Sequence, residues 1–162
     1  MARGNVANDE LAVRLGGVAA AVGKGLAAGL VGTAAMTISS SVDAKLRHRP
    51  PSSTPARAAS VVLGVAPVDE RGERRFNRVV HWGYGTGWGA VRGLLGAVGL
   101  EGPPAAIAHL AAVWGGEQAM LPATGASPPA TKWAGNEVAI DLWHHVVYVT
   151  ATELAYRWLD RR

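Results

Sequence analysis

Near the C-terminus, Glu137, Asp141, His144 and Tyr148 follow one another at spacings of four, three and four, with His145 alongside. At about 100° per residue they fall within an arc of about 60°, so on a helix they form one polar face. His81, Arg92, His109 and Glu117 stand in otherwise apolar stretches elsewhere in the chain. If they turn inward to meet that face, the result is a buried network of imidazole, carboxylate, guanidinium and phenol. Such a network supports three kinds of chemistry. It can tie helices together by hydrogen bonds, each contributing roughly 0.6 to 2 kcal/mol. It can pass protons or ions, because burial and neighbouring charge move His and carboxylate titration towards neutrality. It can also hold a metal or a haem: Asp141-x-x-His144 is half of a carboxylate-bridged di-metal pattern, and His81, His109, His144 and His145 are potential axial ligands.

Other chemistries are excluded by what the chain lacks. It has no cysteine, so disulfides, iron–sulfur clusters, thiolate zinc sites and cysteine nucleophiles are all absent. A metal would have to rely on His and carboxylate ligands. There is no second E-x-x-H, and five histidines are too few for a desaturase-type cluster. Ser39, Ser40 and Ser41 have no nucleophile-elbow context. Gly83, Gly85, Gly87 and Gly89 alternate without the G-x-G-x-x-G spacing of a dinucleotide loop. The net charge of +4 comes mostly from residues 45–78 and is not spread over a basic face with interleaved aromatics, so the chain is not read as binding nucleic acid.

The elements that must position these groups are helices. Asn77, His81, Tyr84, Trp88 and Arg92 share one helical face, and beside it Gly85, Gly89 and Gly93 repeat every four residues. A glycine costs about 1 kcal/mol relative to alanine in a helix interior. Between membrane helices that cost is offset, because the missing side chains let two backbones approach. With 49% hydrophobic residues but 21 Gly and one Phe, the composition favours such close packing over a large-residue soluble core. The predicted fold is all-α: an integral membrane bundle of about four transmembrane helices at residues 25–46, 77–100, 104–121 and 136–158. Residues 25–42 carry no charge and make about 27 Å of helix, close to the ~30 Å hydrocarbon core.

Residues 1–10 are read as a frayed end and 11–23 as an amphipathic lead-in at the interface. Residues 47–76 are read as an extramembrane loop with one short helix at 56–65, its basic and acidic run DERGERR closing the loop. Residues 122–135 are read as a turn-rich loop with Trp133 at headgroup level. The expected surroundings are the lipid bilayer of a cell membrane, with a homo-oligomer or another membrane protein as partner. A soluble helical bundle is the alternative, since only Val79 to Val91 is uncharged between Arg78 and Arg92.

The run Pro122-x-x-Gly125-x-Ser127-Pro128-Pro129, followed by Glu137-x3-Asp141-x3-His145-x7-Glu153, resembles the C-terminal half of the YagU-type bacterial inner-membrane proteins. The plan of a glycine-rich first span, a loop and three closely spaced spans is similar as well. The family tends to have Glu where this chain has Asp141. The resemblance implies a multi-pass inner-membrane protein and supplies no reaction. It singles out His145 with Glu137, Asp141 and Glu153; of these, Glu153 lies about 160° from Glu137, which predicts an edge position paired with Arg157.

Overall fold

The computed structural model describes the backbone of residues 2–50 and 52–161, and the side chains of residues 8, 10–50 and 52–161. The described chain is all-α, with no strand: α1 (Ala2–Leu46), α2 (Thr54–Leu63), α3 (Glu70–Ala97), α4 (Gly102–Ala123) and α5 (Gly135–Leu159), plus a single 3-10 turn at Ala130–Lys132. Each boundary has a local cause. Pro55 sits in the first turn of α2, where its missing N–H costs nothing, and Gly64 ends that helix at φ 64°, a left-handed conformation that suits glycine. Pro103 and Pro104 begin α4 in the same way.

The sequence reading needs three corrections here. The DERGERR run does not close a loop but starts α3. The Asp69 side chain accepts from the Gly72 N–H at 2.6 Å, and Glu70 and Glu73 lie in the first turn, where the exposed N–H groups favour negative charge. Residues 1–10 and 11–23 are not separate from the first span, since from Ala2 onward they continue into it as one helix. Neither Gly23 nor Lys24 removes a backbone hydrogen bond, so nothing stops the helix there. The short helix in the loop begins two residues earlier than expected, at Thr54.

α1 is the centre of the bundle, packed lengthwise against α3 and α5, with α4 against α5 and α3. Contacts along their lengths give an up-down order: Lys24, midway along α1, meets Asp160 at the end of α5, and Arg47, just past the end of α1, meets Glu137 at the start of α5. α2 covers the second end, where Ala58 packs with Leu121 and Ala126. The glycine stripe of α3 lies on a matching stripe of α1. A Cβ added to Gly89 would fall 2.6 Å from the Gly29 Cα, and one added to Gly93 would fall 2.8 Å from the Val22 Cα. Gly25 faces Gly89, and Gly85 faces Thr33.

The interior is unusual in what it contains. The largest fully buried side chains are Arg92, Tyr148, His109, Thr33 and Thr152, while Leu26, Leu30, Val31, Ile38, Leu94, Ile107 and Leu154 are exposed. Much of what is buried is polar, beside a smaller apolar core with Val113, Leu121 and Val149, while many large apolar side chains lie outside. Among the described residues, one helix is long and apolar enough to cross a membrane, the Glu10–Leu46 part of α1, with mean hydropathy 1.5. The other long helices are diluted: α3 by its arginines, α4 by Gly, Pro and His, and α5 by Asp141 and Glu153.

Candidate polar and metal-ligating site

The residues expected to form one network are instead divided among five places. At the α2-covered end, Glu137 is bonded by both Arg47 and Arg49, and Arg49 also meets Asp43 at 2.6 Å. The hydrogen bond to the Glu137 carboxylate pushes the Arg47 guanidinium above its ordinary value, so the arginine stays charged. Glu137 thus pairs with the α1–α2 loop and is not part of an internal site.

About two turns further along α5, His144 turns to α1. Its Nδ1 lies 2.9 Å from the Ser39 hydroxyl, and its Nε2 is 3.9 Å from Asp43. Near it on the α1–α3 seam, Thr37 donates its one hydroxyl hydrogen to the Thr33 carbonyl at 2.7 Å. The 2.9 Å contact between Thr37 Oγ1 and His81 Nε2 must therefore be His81 donating to Thr37.

At the bundle centre, the Tyr148 hydroxyl donates to the Gly85 carbonyl at 2.7 Å, reaching the backbone where α3 has no side chain. His109 Nε2 donates to the Trp88 carbonyl at 3.1 Å, since a carbonyl can only accept. Towards the opposite end, Arg92 is 1% exposed and paired with Glu153 through two hydrogen bonds, at 2.5 and 3.2 Å, with its guanidinium 4.1 Å from the centre of the Tyr156 ring. This corrects the reading of Glu153 as an edge residue paired with Arg157. Its helical angle does separate it from Glu137, but α3 packs on that side of α5 and brings Arg92 to it.

The fifth place joins α4 and α5. His145 Nδ1 donates to the Asp141 backbone carbonyl at 2.9 Å, and Nε2 faces Glu117 Oε2 at 2.9 Å. The Asp141 carboxylate accepts the Trp114 indole N–H at 2.9 Å and stands 3.8 Å from His145 Nδ1. One ligand atom from each of Glu117, Asp141 and His145 lies within 4.8 Å of the others, so these three residues could hold a metal ion. The Asp141-x-x-His144 half-motif is not used, because His144 points to α1 and the adjacent His145 replaces it. The four histidines named as axial ligands each have a different partner, Thr37, Trp88, Ser39 and Glu117, and no two of them share one.

Sequence reasoning did not find Asp43, Ser39, Thr37, Trp114 or the Lys24–Asp160 pair. Gly25, Gly29, Thr33 and Thr37 repeat every four residues on α1, and that pattern was the available signal for the facing seam. No family model matches this chain, and neither the curated proteins nor the solved structures contain a match to it.

Proposed function

We propose that the protein is a multi-pass membrane bundle of the YagU-type inner-membrane kind, in which α1, α3, α4 and α5 all cross the bilayer and the buried polar groups serve mainly as ties between them. One observation carries this reading, the distribution of charge along the helices. Between Lys24 and Asp43 α1 has no charged residue; beyond Arg78 α3 has only Arg92; α4 has only Glu117; between Glu137 and Arg157 α5 has only Asp141 and Glu153. Each of these four faces into the bundle, with side-chain exposures of 1% for Arg92, 19% for Glu117, 24% for Asp141 and 10% for Glu153. The outside of the bundle is therefore an uncharged belt. On α1 it runs from Lys24 to Asp43, about 29 Å at 1.5 Å per residue, which matches a hydrocarbon core of about 30 Å.

Ion pairs close the belt at both edges, Lys24 with Asp160 and Arg47 with Glu137. Trp158 lies near the first edge and Trp82 and Trp133 near the second, where amphipathic rings favour the headgroup region. The low hydropathy of α3, α4 and α5 is then accounted for, since their polar residues face protein and leave the lipid-facing side apolar. A charge in hydrocarbon is tolerable only when it is turned inward and paired. The resemblance of residues 122–129 and 137–153 to the family's C-terminal half supports the same reading.

Carbonate extraction tests it. The protein should stay with the membrane fraction at alkaline pH and be released only by detergent. Recovery in the aqueous fraction would mean a soluble bundle.

A further inference from the structure

Glu117, Asp141 and His145 present an electrostatic problem that their protein neighbours leave unsolved. Among the described residues no lysine or arginine pairs with either carboxylate, and the two acids share a half-buried position. The geometry around them is that of a prepared ligand set. The Asp141 carbonyl accepts the proton on His145 Nδ1, which fixes the ring and leaves Nε2 to carry either a lone pair or a second proton. Nε2 lies 2.9 Å from Glu117 Oε2, and as the neutral imidazole it would set an acceptor against an acceptor. Oε2 is itself buried and makes no aligned hydrogen bond. The Asp141 carboxylate is oriented in turn by the Trp114 indole. A histidine anchored through its second nitrogen and a carboxylate held by an outer donor are the supports that metal ligands use.

We infer that Glu117, Asp141 and His145 bind one divalent first-row transition cation between α4 and α5. The donor set, two carboxylate oxygens and one imidazole nitrogen, suits zinc, manganese or iron(II) and not the soft-thiolate metals. Charge decides between a cation and a proton. A proton on Nε2 would leave the group with one net negative charge, while a divalent ion makes it neutral, which costs least away from water. The site lies one helical turn from the Arg47–Glu137 edge, since Asp141 follows Glu137 by four residues.

The test uses the full chain in detergent, stripped with chelator and titrated with Co²⁺. About one equivalent should bind, with visible d–d absorption that Zn²⁺ displaces. His145→Ala and Asp141→Asn should abolish the band. Trp114→Phe, which keeps every ligand, should weaken binding by about 10- to 100-fold. His81→Ala, on the α1–α3 seam, should leave the band unchanged. Circular dichroism checks that each variant is folded, and Trp114→Phe keeps the test informative if a ligand variant is not. The inference is overturned if the wild type takes up no Co²⁺, Zn²⁺ or Mn²⁺ saturably, or if His145→Ala takes up as much as the wild type. Wild-type protein that binds no metal and shows a His145 imidazolium by NMR would place a proton there and would overturn it equally. The outcome does not depend on how many helices cross a membrane.

Discussion

Arg92 and Glu153 show how one residue pair governs the rest. A guanidinium with 1% exposure is unfavourable unless a carboxylate meets it, and here Glu153 accepts two hydrogen bonds while Tyr156 covers one face. Removing one partner leaves the other charge buried and unpaired, whereas removing both removes the problem. Glu153→Ala should therefore destabilise the protein by about 3–5 kcal/mol, and Arg92→Met/Glu153→Leu by much less. Thermal unfolding in detergent measures both. Glu70→Ala is the comparison, because Glu70 pairs with Arg74 on an exposed surface where such a pair contributes about 0–1 kcal/mol. If Glu153→Ala were as mild as Glu70→Ala, the pair would have no part in holding α3 to α5. The sequence named both Arg92 and the need to pair it inside the bundle, but not its partner. Partner choice depends on which helix lies against α3, and periodicity within one helix carries no information about that.

Among the elements, the α1–α3 seam is held by close approach of backbones, with the His81–Thr37 hydrogen bond beside it. Gly25 faces Gly89, the Gly29 backbone meets Gly89, and Ala21 and Val22 meet Gly93. Gly89 and Gly87 are two residues apart on the same helix and differ completely: a Cβ at Gly87 would have nothing within 4 Å, while one at Gly89 would press into α1. Gly89→Leu should lower the unfolding temperature in detergent or split the seam, with a cost of about 1–3 kcal/mol or more from overpacking. Gly87→Leu should be neutral or slightly stabilising, because leucine is the better helix former. Equal effects would show that the seam does not depend on close approach. The stripe Gly85, Gly89, Gly93 was readable in the sequence because its period of four is local. The opposing stripe on α1 has the same period, yet only the fold shows that the two lie together. The start of α3 was misjudged for a different reason. DERGERR has the composition of a loop, but an acidic N-cap followed by two acids in the first turn is also how a helix begins.

Over the whole molecule, the polar constellation at Glu137, Asp141, His144, His145 and Tyr148 was legible as residues but not as one site. Its 60° face is divided because several neighbours meet it, the α1–α2 loop taking Glu137, α1 taking His144, α4 taking Asp141 and His145, and α3 taking Tyr148. What unites the molecule is the uncharged outer belt. If lipid covers that belt, positions along α1 and α3 must differ in their access to water in a fixed order, and the cysteine-free chain allows this to be measured one position at a time. Val68, in the loop before α3, and Val98, at its far end, are 101% and 79% exposed and lie beyond opposite edges of the belt. Leu30, 50% exposed, lies within the belt on α1. In a bilayer all three are uncovered by protein, but only two meet water. In sealed vesicles of one orientation, Val68→Cys and Val98→Cys should react with a membrane-impermeant maleimide from opposite sides. Leu30→Cys should stay unreactive from both sides until the membrane is dissolved and the chain unfolded. A soluble bundle would label Leu30→Cys nearly as fast as Val68→Cys, because both side chains would then face water. Labelling of Val68→Cys and Val98→Cys from the same side, with Leu30→Cys protected, would leave α1 as a membrane crossing but remove α3. The arrangement of four crossings would then have to be given up.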